Sequence, residues 1–523
     1  MLGRESGQSS LAEIHLWSGK RTPLIEPGTF HDRFAKLRPV LLRDDDFAHW
    51  YSQDKGRPSV PPSRVAGAFL LALREGCSDR EAEQRMRFDL RWKWALDLEL
   101  DDHGCDHTTI CLFRGRLLAH EEEGKLFQEI VRRATEAGLL PSRAVQVMDS
   151  SPMLGAAATQ DTYKLIRTAL HKVVKAHEKE LPEELKPRLK RYQKTGKAPI
   201  DWDDPKARKQ ELNQLVGDAE LALKELAQEG EGPTAQAARE LLERVARQDV
   251  EKDDGKGGGV KIREGVAKDR VISTVDPEMR HGHKSSAGKW DGYKKHLSTE
   301  PQTELITAVE VTAANVNDGE VAMALLERQA EAGLCPSEAV GDNAYGSAEL
   351  RAKAQAHGAG TTMVTKASGV PDTGYFHKSE FTIDLEASTV TCPAGQVVSF
   401  PRFRSGHSTE AVFPISVCAA CPFRRVCTWM PSRTITIHPF EDQLQAARRR
   451  RAEPDFEELM RQRPTVERKQ SHWNQRGGRH SRYVGLRKTR LQALWSAAEV
   501  NIERLIVIGE ALAGRPNLQL ASM

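Results

Sequence analysis

Residues Ala144 to Ser150 read AVQVMDS, and this short run constrains the fold more than any other stretch. The chain on either side of it is helical in pattern. Here Val145 and Val147 alternate with their neighbours, the period of a strand, and the run closes on an acid, Asp149. A buried strand with a carboxylate at its C-terminal end belongs in an open sheet, where chemistry gathers at the strand ends. A second such run, SEAVGDNAYGS, carries Asp342 at its end. Between the two lie VISTVDPEMRHGHKS, KWDGYKKHLST, ELITAVEVTAANVND and the helical GEVAMALLERQAEAG. That order predicts a mixed α/β sheet.

A third acid stands out by its surroundings. Arg461 to Arg490 holds ten Lys or Arg residues and one acid, Glu467, a formal +9 in a chain whose net charge is only +3. Everything outside the tract is therefore net acidic, an asymmetry that suggests nucleic acid more than a membrane surface. Cations hold such a carboxylate ionised, and a buried acid among them suits a divalent ion. Asp149, Asp342 and Glu467 around one pocket would repel one another unless cations joined them. Two Mg²⁺ (or Mn²⁺) ions suit these hard oxygens and suit phosphodiester chemistry. Arg476, Arg479, Arg482, Arg487, Lys488 and Arg490 are the expected phosphate contacts. About 6 such contacts give a log–log salt slope of roughly −5. The plainer reading of the same tract is a surface Glu that offsets its neighbours.

At 523 residues, 39% hydrophobic and 29% charged, the chain predicts a soluble protein of two or three domains. Residues 1–29 read as a loose leader, and 30–139 as helical. Val65, Phe69, Leu70 and Leu73 share one helix face, and Arg80, Arg85, Arg87 and Arg91 stud the polar sides of the helix after Ser78. A helix-turn-helix DNA reader and a plain bundle fit that region equally. The sheet core is expected over 140–366, interrupted at 163–262 by long amphipathic helices on which Leu212, Leu215, Ala219, Leu223 and Leu226 repeat. Within that interruption DDGKGGGVK reads as a flexible linker. From 367 to 440 regularity lapses, and 441–523 is helical and basic. Cys392, Cys418, Cys421 and Cys427 supply four soft ligands, enough for a closed zinc site; free thiols in an irregular loop are the alternative. Cys77, Cys105, Cys111 and Cys335 are scattered and read as packing residues. No apolar run reaches the roughly 20 residues a bilayer span needs, and no signal pattern opens the chain, so an intracellular protein is expected.

The succession VMDSS, GYKKHL, VTAANVND, VGDNAYGS and RPTVERKQ…RYVGLRKTRLQ resembles the DDE transposases of bacterial insertion sequences, and is most similar to the group numbered eleven-eighty-two. The resemblance runs from about Arg64 to Ile506. It implies an RNase H-like core, an N-terminal DNA-recognition region, binding of terminal inverted repeats, and metal-dependent cleavage and strand transfer. Two DNA ends to be joined imply a homodimer on double-stranded DNA, in the bacterial cytoplasm at the nucleoid. The family's acids fall on Asp149, Asp342 and Glu467. Tyr345 matches its aspartate-x-x-tyrosine pattern, and Arg463 the arginine of its tyrosine-arginine-glutamate-lysine pattern. Met460 and Asn474 stand where that tyrosine and lysine are expected, which leaves Lys469 or Lys488 as substitutes. Asp276, and Lys294 with His296 as DNA contacts, also fall at family-like positions; their plainer readings are a turn acid before Pro277 and ordinary strand residues. The family further implies an insertion domain where the four cysteines lie. A stand-alone nuclease on the same fold and an inactive DNA-binding remnant are the alternative functions.

Overall fold

The computed structural model describes residues 2–4, 25–52, 56–179, 181–226, 232–254, 258–284, 288–358, 360–366, 374–404 and 406–513. Of the expected leader, residues 5–24 lie outside the described residues.

Six strands form the central sheet: β1 (Gln146–Leu154), β2 (Arg280–His283), β3 (Lys289–Thr299), β4 (Ile306–Ala313), β5 (Glu338–Gly341) and β6 (Thr362–Thr365). Their order is β2-β3-β1-β5-β6, with β4 also paired to β3. Strand β1 runs antiparallel to β3, with Asp149 opposite Leu297 and Ser150 opposite His296. It runs parallel to β5, pairing Gln146 with Ala339 and Val147 with Val340. Antiparallel strands followed by a parallel pair make the RNase H-like arrangement that the family resemblance implies. Continuing the β1–β5 register by two residues sets Asp149 beside Asp342, which directly follows β5.

Alternation along β1 decides what each face does. Met148 packs with Leu325, Tyr345 and Met363 beneath α10 (Asp318–Glu331) and α11 (Ala348–Ala356). Val147 and Met153 belong to the opposite core. Asp149 therefore faces that second side, together with α13 (Pro464–Trp473) and α14 (Leu486–Ala513).

The N-terminal helices complete this second side: α1 (Phe30–Leu41), α2 (Pro62–Glu75), α3 (Asp79–Phe88), α4 (Leu90–Leu96), α5 (His107–Ala119) and α6 (Lys125–Glu136). Helix α2 opens on Pro62 and closes at Gly76, whose φ of +72° an L side chain adopts only with strain. Ser78 and Glu81 form a reciprocal cap that starts α3. Asp89 caps α4 through the Arg91 N–H, so one predicted helix becomes two. Phe69 of α2 and Phe113 of α5 both pack on Trp495 of α14, at ring distances of 5.1 and 5.7 Å. One hydrophobic core thus runs from Phe34 through Val147 to Trp495, and packing continues across residue 139 without a break.

The interruption after β1 has a core of its own. Helices α7 (Thr162–Ala176), α8 (Pro205–Glu225) and α9 (Pro233–Gln248) bury Leu165, Leu170, Leu212, Leu215, Leu242 and Val245 together. The linker expectation is corrected in part. Val250–Lys252 and Val260–Ile262 pair antiparallel, and Gly258 and Gly259 take positive φ to turn the chain. The central residues 255–257 of that tract lie outside the described residues. The cysteine segment also proves regular: Thr382–Asp384, Thr389–Thr391 and Val397–Ser399 form a sheet, and Thr409–Val412 pairs with Thr434–Ile437, around Val390, Phe413 and Ile435. Residues 367–373 of it are outside the described set. No described helix is long and apolar enough to cross a membrane.

Candidate active site

Asp149 is buried in mid-sheet, with 7% of its surface exposed. Burial pushes its carboxyl up to about 6; the Ser150 N–H and the charges of Lys284 and Arg463 pull the other way, and Asp342 adds to the rise. Asp342 leaves β5 and accepts the Ala344 N–H at 2.9 Å, starting the single turn Asn343–Tyr345. That turn folds the Tyr345 ring onto Gly341, where a Cβ would stand 2.6 Å from the ring. Tyr345 is fully buried and its hydroxyl has no hydrogen-bond partner among the described residues. Burial holds that hydroxyl far above its ordinary range, reinforced by Asp318, Asp149 and Asp342 and opposed by Arg463. Two predicted acids, the predicted tyrosine and Arg463 therefore share one neighbourhood.

Glu467 differs from expectation. Its side chain is 53% exposed, and its ion pair is with Arg463, at 3.4 Å. The expected burial fails because Glu467 lies on the outer side of α13, while Val466, Lys469, Gln470 and Trp473 take the inner side. Arg463 is the bridge: it pairs with Glu467 and bears on Asp149. Its Nε is buried without a hydrogen-bond partner among the described residues.

The basic tract is also revised. Arg476 pairs with Glu499 and Glu503, Arg482 donates to the Cys77 carbonyl at 2.7 Å, and Arg487 to that of Leu118 at 2.5 Å. Arg490 pairs with Glu310 at 3.1 Å, and buried Lys469 with Glu304 at 3.5 Å. These cations dock the tract onto the protein, because acids and carbonyls distant in sequence reach them first. Arg479 and Lys488 are exposed, with no side-chain partner among the described residues. Lys294 holds the Val316 carbonyl and Asp318, each at 2.8 Å. His296 is fully buried on the Thr312 hydroxyl at 2.9 Å, away from solvent, and burial keeps its imidazole neutral. Asp276 accepts the Tyr293 hydroxyl at 2.7 Å and the Gly485 N–H at 3.1 Å.

Sequence reasoning missed three residues. Asp318 accepts Ser150 Oγ at 2.7 Å and so braces the residue next to Asp149. Lys284 is exposed and lowers the Asp149 carboxyl. Lys295 is buried with no acid beside it. Asp318 lies in VTAANVND, Lys284 in VISTVDPEMRHGHKS and Lys295 in GYKKHL, but nothing in those runs singled these three residues out.

Neither predicted metal site gathers three of its ligand atoms within 4.8 Å of one another. Among the described residues, only Glu83, Asp106 and His107 bring three ligand atoms within 4.8 Å of one another. Those atoms are already engaged, His107 with Glu83 at 2.7 Å and Asp106 as the cap of α5. The four clustered cysteines are neighbours, since Cys418, Cys421 and Cys392 all bear on the Cys427 thiol, which burial chiefly raises. The small sheets close the long gap after Cys392.

Comparison with known families gives three matches. Residues 21–116 match the profile described as Transposase domain (DUF772). Residues 263–380 and 391–506 match two profiles each described as Transposase DDE domain. Asp342 lies in the first of these and Glu467 in the second, whereas Asp149 falls outside all three, cut off by the helical insertion. No curated protein and no solved structure matches the chain.

Proposed function

Because the chain belongs to the DDE transposases of insertion sequences, we propose that it binds the terminal inverted repeats of its element and catalyses metal-dependent DNA cleavage and strand transfer there. The observation that carries this reading is the buried Asp149 carboxyl beside Asp342, with Arg463 Nε and Tyr345 Oη buried and unpartnered nearby. A crowded pair of acids suits a hard divalent cation, and unpartnered N–H and O–H donors suit phosphate oxygens. Asp149, Asp342 and Glu467 would hold Mg²⁺ or Mn²⁺, two ions per site, which supply activation of water or a 3′-hydroxyl and stabilisation of the leaving oxygen. Arg463 and Lys284 bind the scissile phosphate, and Tyr345 donates to one of its oxygens. Cys392, Cys418, Cys421 and Cys427 would hold a structural zinc ion, and the protein acts as a homodimer on the two DNA ends.

The test is cleavage of a labelled duplex carrying the repeats that flank the gene, with Mg²⁺ and with EDTA, followed by joining to a target plasmid. Cleavage without joining would favour the stand-alone nuclease; binding without cleavage would favour the inactive remnant. Salt dependence of end binding checks the revised tract. Arg479→Ala and Lys488→Ala should each reduce the log–log slope by about 1. Arg482→Ala should leave the slope unchanged and lower the melting temperature, since its guanidinium is spent on Cys77.

A further inference from the structure

Lys295 has none of its surface exposed, yet no carboxylate accompanies it among the described residues. Its Nζ donates to Asn474 Oδ1 at 2.7 Å and to the Gly478 carbonyl at 2.8 Å, and lies 4.3 Å from the centre of the Trp473 ring. A lysine buried among neutral partners costs free energy that an apolar side chain of similar length would not. The return is geometric, because all three partners belong to the segment that ends α13.

That segment is a widened turn, Asn474–Gly478, in which Arg476 (φ −99°, ψ 30°) and Gly477 (φ +81°) leave helical geometry. Its carbonyls have lost regular helical partners, and Lys295 supplies one. Beyond the turn, the Arg479 carbonyl accepts the Leu154 N–H at 2.8 Å and the Ser481 N–H donates to the Leu154 carbonyl at 2.7 Å. The exit from α13 is thus stitched to the end of β1, the strand that carries Asp149. Lys295 stands opposite Ser151, two residues along from Asp149's partner Leu297, so pin and acid share one face of the sheet. Glu467 lies seven positions before Asn474, about two turns or ~10 Å along the helix.

We propose that Lys295 is a positioning residue whose buried ammonium fixes the C-terminal end of α13 and thereby sets where Glu467 stands relative to Asp149. The role rests on the reading of Glu467 as a member of the catalytic trio. Burial pulls the Lys295 amine down to about 7, but two N–H donors serve the two oxygens in either protonation state.

The experiment compares full-length wild type with Lys295→Met, Asn474→Ala and the exchange K295N/N474K, which moves the amine to the helix and the amide to the strand. In Lys295→Met, end cleavage should fall about 100-fold, with end binding within about twofold and the half-saturating Mn²⁺ concentration raised about tenfold. Asn474→Ala removes one acceptor only and should show the same pattern at about tenfold in rate, even if Lys295→Met fails to fold. The exchange should recover most of the rate, which a merely space-filling lysine would not do. Wild-type rate and metal dependence in both single variants would overturn the proposal, as would an exchange no better than Lys295→Met. Amide exchange at Leu154 and Ser481 needs no catalysis. Faster exchange in the single variants would support the pin even if wild type does not cleave, in which case the transposase reading alone fails; unchanged exchange would overturn the pin.

Discussion

Asp149→Ala is expected to abolish cleavage of an inverted-repeat duplex, by on the order of 10³-fold or more, with end binding nearly unchanged. Asp342→Ala and Glu467→Ala should do the same if the three acids act as a unit. Stability separates them. Burial lifts the Asp149 carboxyl from 3.8 to about 6, so between those pH values the folded protein holds a proton that the unfolded chain has released. The stabilisation this brings is complete below 3.8 and is lost as pH rises through 6. Above that, the ionised group weighs against folding by on the order of 2–3 kcal/mol. Asp149→Asn in EDTA-treated protein should therefore raise stability at neutral pH by up to that amount, and flatten the stability curve between about pH 4 and 6. Glu467→Gln should leave stability within about 0.5 kcal/mol, because its side chain is half exposed. Chemical denaturation of the metal-free variants at several pH values measures both. Loss of activity with a gain in stability marks an acid kept for chemistry; loss of both would make Asp149 structural and sink the proposed site.

Both aspartates were legible because short strand-like runs lead up to them, but only Asp342 stands at a strand end: β1 continues past Asp149 to Leu154, and the polar Ser150 and Ser151 with Pro152 hid that continuation. The helix bearing Glu467 was legible only as part of a helical, basic C-terminal region. What its cations do was not, because the partners of Arg476 lie at Glu499 and Glu503, on the next helix and on its exposed-looking face. Composition reports that a guanidinium is present; tertiary packing decides whether it meets a phosphate or a carboxylate. The motif GYKKHL shows the same limit at single-residue scale. On a strand, Lys294 and His296 face one side and Lys295 the other, and which side holds the ligand depends on neighbouring elements. Lys295 lay inside that motif, but nothing marked it as buried, since lysine is the residue least expected in a core. The tract at Gly258 and Gly259 failed for another reason: glycines that permit disorder also permit a hairpin with positive φ, and composition does not separate the two.

Glu499→Ala is the substitution expected to damage the fold most. Glu499 on α14 is 3% exposed and takes guanidinium N–H groups from Arg74 on α2 and, at 3.3 Å, from Arg476 in the turn after α13. Glu503, one turn on, receives the same two arginines at 3.0 and 2.6 Å, while the Arg74 guanidinium stacks 3.5 Å above the Phe30 ring. Burial raises the Glu499 carboxyl against the pull of Arg74 and Arg476, so the site favours the ionised form less than water does. The set is therefore not a net source of stability compared with a well-packed apolar substitute. Breaking it is another matter, because Glu499→Ala leaves two partly buried guanidiniums sharing one carboxylate, at about 3–5 kcal/mol. Arg74→Met and Arg476→Met should be strongly non-additive in a double-mutant cycle, since the second removal relieves charge stranded by the first. The same four residues join the N-terminal helices, the turn below Glu467 and the final helix. Mild destabilisation here should consequently weaken end binding and cleavage together, whereas the acid-trio variants separate them. Additive losses, or a Glu499→Ala cost below about 1 kcal/mol, would show that the apolar contacts around Trp495 hold these elements together without the ionic clamp.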